Sequence, residues 1–320
     1  DGVDAAVRAM MTDKNLKGHD AELIQTLYKL WLDWDARNAE LENNLKIIKN
    51  YLLSVENIKD IKDLNAYFQS EECLMHGNFI ANFSLGIDND DSSYYNIELY
   101  PTGLSLGDSA EYKELSANGA RDKKQSEAIA LYMLNKLGYD KAQAEKIINN
   151  AFEFEKNIAE YMMTINERNS PDSLKKLYSN SIKLEDLKTL SPVFPFYEIL
   201  AAHKVFSERI NLQEFKWLDG LNKLYNNNNL ENIKAYLIRN IASRYMGRLD
   251  ENSYRELQKI SRERNGIKQS KPDEDLAADF VHGRLPSAIS KIYAEKYIAP
   301  ETKAEVTQII NDAIAYYKEM

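Results

Sequence analysis

The 320-residue chain is poor in the residues that build small reactive centres: one cysteine, four histidines, seven prolines and twelve glycines. A lone Cys73 excludes an internal disulfide framework and any thiolate zinc knuckle. It suits a reducing compartment and equally a secreted or surface protein, so cytoplasmic, secreted and surface-anchored locations all stay open. Excess positive charge is missing too. Against 50 Asp and Glu stand 41 Lys and Arg, a net charge of −9, which argues against nucleic acid as a partner because such binding begins by neutralising phosphates. No apolar run approaches the ~18 residues of a membrane span. The nearest, around 193–206, is broken by Pro195, Glu198, His203 and Lys204, so no transmembrane segment is expected. Hydrophobic residues make up 44%, enough to build the core of one large domain or two ordinary ones.

Helical periodicity is abundant. Leu23, Ile24, Leu27, Tyr28, Trp31 and Trp34 follow the i, i+3, i+4, i+7 pattern, as do Leu41, Leu45, Ile48 and Leu52. The clearest stripe runs Ala144, Ile147, Ile148, Ala151, Phe152, Ile158, Tyr161 and Met162. Asp140 with Gln143 three residues on predicts a capping box at its start, and Gly138 can close the helix before it. Ser170-Pro171 and Pro300-Glu301 mark further helix starts. One stretch alternates instead: Phe79, Ala81, Phe83, Leu85, a polar turn over 88–93, then Tyr95, Ile97 and Leu99. It predicts a β-hairpin over about 78–100, from Asn78 to Tyr100, leaning on helices. The fold class is therefore mainly α: a multi-helix domain with one small hairpin, possible sub-bundles 1–190 and 191–320, and no solenoid period. The loop Asn226 to Asn229 and the polar connection Arg262 to Asp275 are too short to force a domain boundary. The stripe Val306, Ile309, Ile310, Ala313 and Tyr317 reaches the last residues without Gly or Pro, which reads as a piece of a longer polypeptide.

Several motifs mimic chemistry. Gly103-Leu104-Ser105-Leu106-Gly107 is a literal G-x-S-x-G, but a nucleophile elbow needs a parallel sheet, a following helix and later Asp and His partners. A glycine-rich turn leaving the hairpin is the expectation. Cys73 and His76 form a C-x-x-H pair without the third and fourth ligands zinc requires. His19, His76, His203 and His282 are scattered, and Ser173-x-x-Lys176 lies early in a helix without its companion motifs. Glu153 and Glu155, two apart on a helix, do not face each other; a solvated face or one buried ion pair is the simpler reading.

The order of segments resembles the neprilysin-type zinc metalloendopeptidases, the family of neprilysin, endothelin-converting enzyme and bacterial oligopeptidase O. YPTGLSLGDSAEY is similar to the family's GLGLPDRDYY element, with Gly103, Leu104, Leu106, Asp108 and Tyr112 in register. AFEFEKNIAEY, with Glu155, resembles its vlelEkkLA helix. ERNSPDSLKKLYS, with Arg168 and Tyr178, stands where RRDPxxxYN does, and KLEDLKTLSP follows as tLeeL does. LENIKAYLIRNIASRYMGRLDE and LPSAISKIYAEKYIAPETKAEVTQIINDAI, the latter with Tyr293 and Lys303, complete the series. Ser290, Asn169-Ser170 and Gly107 depart from the family pattern.

The resemblance implies that residues 1–320 form a single helical cap domain, the N-terminal non-catalytic part of such a peptidase. No H-E-x-x-H occurs in the sequence, so the family's zinc helix and the third-ligand glutamate of its downstream E-x-x-x-D are expected beyond Met320. It follows that no catalytic, cofactor-binding or metal residue is expected here, that the motif positions named above are structural, and that zinc belongs to a catalytic domain of the same polypeptide. By itself the chain is expected to hydrolyse nothing. The implied function is to wall a closed chamber that admits oligopeptides and excludes folded proteins. The alternative is a standalone, non-catalytic peptide- or protein-binding module. A hydrolase built on Ser105 or on a helical carboxylate is a third.

Overall fold

The computed structural model describes residues 2–77, 79–88 and 91–319, the side chain of Lys175 excepted. Among these residues the chain is mainly helical, with one small sheet. Asn78 and Met320 lie outside the described residues.

The chain forms two compact units, one of 38–268 and one that joins 1–37 to 269–320. The boundaries fall at 37/38 and 268/269, the second inside the polar connection 262–275, and both of the sequence halves 1–190 and 191–320 contribute to the larger unit.

In the larger unit the Leu230–Arg244 helix is central. Leu230, Ile233, Ala235, Tyr236, Leu237, Ile238, Arg239, Ile241 and Ala242 are all buried on it. It packs against the Lys141–Ala159, Leu41–Glu56 and Ala117–Lys136 helices. Local chemistry sets the ends of these helices. Asp140 and Gln143 make the reciprocal capping box, and Gly138, at φ 101°, turns the chain out of the preceding helix while Tyr139 N–H closes onto Leu134 C=O. Ser170 caps the Pro171–Tyr178 helix with the proline at its first turn.

The hairpin is present as β1 (Ala81–Ile87) and β2 (Tyr95–Pro101), paired antiparallel. Two strands not anticipated, β3 (Ser181–Lys183) and β4 (Arg209–Leu212), extend the sheet to the order β1-β2-β4-β3, with β4 parallel to β2. They answer the question of how a two-stranded ribbon persists: β2 becomes an interior strand, buried from Asn96 to Leu99.

The smaller unit gathers the helices Gly2–Thr12, His19–Leu32, Asp273–Arg284, Pro286–Tyr297 and Pro300–Glu319. Ile24, Tyr28 and Trp31 are buried there with Ala277, Val281, Ile289 and Ile292. Ion pairs tie its two sequence segments: Arg8 to Asp275 at 2.6 Å, Asp20 to Lys291 at 2.8 Å and Asp13 to Lys296 at 2.5 Å. The Trp34 indole N–H donates to Asp273 at 3.2 Å. The Pro300–Glu319 helix has no buried residue.

Candidate functional site

The densest polar constellation forms where the segment leaving β2 meets two long helices of the larger unit. Glu155 lies on the Lys141–Ala159 helix and is 0% exposed; Arg239 lies on the Leu230–Arg244 helix and is 3% exposed. The guanidinium meets the carboxylate with both terminal nitrogens, Nη1 to Oε2 at 3.1 Å and Nη2 to Oε1 at 2.7 Å, the fork geometry arginine favours. The turn after β2 supplies the remainder. Ser105 donates to Glu155 Oε1 from its N–H at 3.1 Å and from its hydroxyl at 2.8 Å, and the Tyr112 hydroxyl donates to Oε2 at 2.9 Å. Beside them, the Tyr236 hydroxyl sits 2.8 Å from Thr102 Oγ1 and 3.5 Å from the Gly103 carbonyl.

The electrostatics follow from burial. Burial works against the charge on Arg239, and the adjacent Glu155 more than restores it, so its pKa stands above the ordinary value. Burial, followed by the Glu155 charge and hydrogen bond, pushes the Tyr112 phenol up. Burial, followed by the Glu155 charge, also pushes Tyr236 up, against the opposing hydrogen bond to Thr102. Glu155 accepts from five donors. Its oxygens hold the turn and the two helices together as a buried strut. Ser105 is a donor to that strut, and no histidine contacts it among the described hydrogen bonds. The G-x-S-x-G match is thus a turn, with Gly107 at φ 78°.

Other motif positions fall around this cluster or away from it. Leu106 is buried, and its N–H points at the Tyr112 oxygen, 3.4 Å away. Asp108 accepts from Ala110 N–H at 3.1 Å and Ile165 N–H at 3.2 Å, pinning the turn to the segment after the Lys141–Ala159 helix. Arg168 reaches Glu214 from Nε at 2.8 Å, and buried Glu214 also accepts from Met163 N–H at 2.8 Å. Tyr178 is half-exposed at the end of the Pro171–Tyr178 helix. Tyr293 and Lys303 lie in the other unit: the Tyr293 ring centroid is 5.1 Å from that of Tyr297, and Lys303 is exposed. So Gly103, Leu106, Asp108, Tyr112 and Glu155 converge, and Arg168 joins through a neighbouring ion pair.

Arg239, Glu214, Thr102 and Tyr236 were not singled out from the sequence. For Arg239 a signal existed. Ala235, Tyr236, Arg239 and Ala242 recur at helical spacing, a charge on a second buried stripe beside Ile233, Leu237 and Ile241. Glu214 carries no such pattern.

The other candidates are weaker. Cys73 is fully buried, while His76 Nδ1 lies 3.1 Å from the Tyr245 hydroxyl and burial holds its pKa below the ordinary imidazole value. His203 Nε2 meets the Phe68 carbonyl at 3.0 Å. Among the described residues no three His, Cys, Asp or Glu side chains group so as to hold a metal ion. A cavity of about 220 Å³ lies beside Glu56, Tyr139, Lys146 and Lys234. Lys234 there already donates to the carbonyls of Glu56 and Ile58, at 2.9 and 2.8 Å, and Tyr139 to Glu56 at 2.5 Å.

The family model for the N-terminal domain of peptidase family M13 matches residues 1–320. The chain belongs to peptidase family M13. This is the neprilysin-type family that the motif order resembles, and the M13 domain matched is its helical N-terminal one. Solved structures share the M13 fold. PepO from Lactobacillus rhamnosis HN001 aligns with a TM-score of 0.80 at 15% identity, over 99% of this chain and 49% of its own. The zinc metalloprotease Zmp1 of Mycobacterium tuberculosis, in complex with an inhibitor, aligns with a TM-score of 0.74 at 17% identity, over 97% of this chain and 46% of its own. Its open state aligns with the same TM-score over 47% of its length. The chain therefore spans about half the length of the structures it matches. No curated protein sequence matches it.

Proposed function

We propose that this chain is the substrate-chamber domain of an M13 zinc metalloendopeptidase, working with a catalytic domain of the same polypeptide that holds the zinc. The observation that carries the reading is the superposition of nearly the whole chain on less than half of each matched peptidase. A chamber wall has to hold its shape, and the Glu155 strut does this: one buried carboxylate fixes the turn 102–112 to two long helices. We assign Gly103, Leu106, Asp108, Tyr112, Glu155 and Arg168 to that structural role, and none to catalysis. Peptides are the substrates, admitted by size and held away from bulk water. An exposed apolar face on the Pro300–Glu319 helix, with Val306, Ile309, Ile310 and Ile314, supports packing against a further domain.

The test begins with the gene. An H-E-x-x-H segment followed by E-x-x-x-D beyond the codon for Met320 is expected. The full-length product should cut a flexible peptide of about ten residues and spare the same sequence inside a folded host, and a chelator should abolish cutting. Hydrolysis by residues 1–320 alone, or a full-length protein lacking both motifs, overturns the proposal.

A further inference from the structure

The sheet of the larger unit has two outer edges, and they differ in kind. β3 is three residues long, carries Lys183 and runs directly into Glu185 and Asp186. Shortness and charge discourage another strand from adding there. β1 is seven residues, Ala-Asn-Phe-Ser-Leu-Gly-Ile, without a charge or a proline, and its register with β2 is unbroken by any bulge. A long, regular, uncharged edge is a template for strand pairing.

The direction of its backbone groups can be worked out from its neighbours. On β2 the Leu99 carbonyl accepts from Gln213 N–H at 3.0 Å, on the β4 side. Within a strand the N–H and C=O of one residue point the same way, and successive residues point opposite ways. Asn96, Glu98 and Tyr100 therefore face β1, and the hydrogen-bonded pairs are Asn82 with Tyr100, Ser84 with Glu98 and Gly86 with Asn96. The Asp88 N–H, which donates to Tyr94 C=O at 3.0 Å, continues the same alternation. The N–H and C=O groups of Phe83, Leu85 and Ile87 consequently point away from the sheet. Among the described residues no backbone hydrogen bond from another strand reaches them. Phe83 packs on the core, but the strand then runs off it: Leu85 is 73% exposed, Ile87 56% and Tyr95, opposite Ile87, 71%.

We propose that the outer edge of β1 binds an extended peptide by strand addition. Phe83, Leu85 and Ile87 supply the backbone donors and acceptors, and Leu85, Ile87 and Tyr95 receive alternate side chains of the ligand. The proposal rests on the reading that this protein handles oligopeptides and goes beyond it by placing a binding edge. Main-chain pairing ignores side-chain identity, which suits ligands of varied sequence. A second copy offering its own β1 is the competing occupant.

The probe is a fluorescein-labelled peptide of about eight alternating valines and threonines. N-methylation at every second residue leaves it one free edge and prevents it from forming fibrils. Saturable binding to the chain is expected by fluorescence anisotropy, and a twin methylated at every amide should not bind. Leu85→Pro removes one outward N–H while the ladder to β2, carried by Ser84 and Gly86, keeps its bonds. It should weaken binding about tenfold or more. Ile87→Pro, nearer the strand end, should act in the same direction and covers the case in which Leu85→Pro fails to fold. Thermal melts verify that each variant is folded. No binding, equal binding of the twin, or binding unchanged in both folded variants overturns the proposal. So does a chain that refuses the probe yet dimerises through an interface that Leu85→Pro abolishes. Failure here leaves the chamber reading standing, since that reading is tested by cleavage; a full-length protein without peptidase activity that still binds the probe removes the chamber reading alone.

Discussion

Glu155 and Arg239 are held in place by each other and by the turn that follows β2, and their energetics are asymmetric. Each desolvated charge costs several kcal/mol, and that cost is offset only while both partners are present. Arg239→Met is therefore expected to lower the unfolding free energy by about 3–5 kcal/mol, because it strands a buried carboxylate. Adding Glu155→Leu should recover much of the loss, measured by urea denaturation of the two single variants and the double one. A double variant as unstable as the sum of the singles would mean the two charges do not act as a pair. Asp250 poses a milder case. Burial raises its pKa, but Lys136 Nζ at 2.8 Å and the Ser253 hydrogen bonds outweigh it, and the carboxyl ends below its ordinary value of 3.8. The folded state thus binds fewer protons at this site than the unfolded one. The stabilisation is present above about pH 4 and is lost as pH falls through the lower folded value. Asp250→Asn should destabilise the chain at pH 6 and much less at pH 2.5, compared by urea midpoints; an equal effect at both would exclude the charge as the cause.

Among elements, what the sequence made legible was whatever local chemistry dictates. Asp140, Gln143 and Gly138 set a helix start and a helix end by themselves, and Ser170-Pro171 does the same. The hairpin was readable because a polar turn separates two alternating runs. Its partners were not. Ser-Ile-Lys and Arg-Ile-Asn-Leu are too short to show a period, and their pairing is decided by tertiary contacts. β2 also hides its position: Asn96 and Glu98 alternate with apolar residues, yet both are buried, Glu98 beside Asn211 of β4, which in turn meets the end of the Pro171–Tyr178 helix. Asn211 Nδ2 meets Glu98 at 2.6 Å and the Leu177 carbonyl at 2.7 Å, a partnership that no spacing announces. The strut was legible by halves. Family motifs pointed to Tyr112 and Glu155, whereas Arg239 lies 84 residues further on and only packing unites them. Gly220, on the Phe215–Leu224 helix, is a similar case. A Cβ there would overlap the Tyr161 ring, so the helix approaches as closely as it does only with glycine. Gly220→Ala should raise intrinsic helix propensity and still destabilise by about 1–3 kcal/mol. A gain in melting temperature would show that Tyr161 moves aside freely.

For the whole molecule, the larger unit contains a continuous apolar core, whereas the smaller one ends in a helix with no buried residue. Val306, Ile309, Ile310 and Ile314 follow helical spacing there and are about half-exposed, with Tyr316 and Tyr317 beyond them. On the proposed function such a stripe would face another domain, and a chain of 320 residues that displays it in water has only other copies to turn to. Residues 1–320 are therefore expected to associate reversibly as concentration rises, seen as a shift in sedimentation velocity. Ile310→Glu places a charge in the middle of the stripe and should return the chain to monomer. Leu85→Pro should leave this association unchanged, because β1 lies in the other unit. If the chain stays monomeric at every concentration, the stripe is not an interface. If Leu85→Pro and not Ile310→Glu dissolves the association, the copies meet through the sheet edge, and β1 is a dimer contact in place of a peptide site.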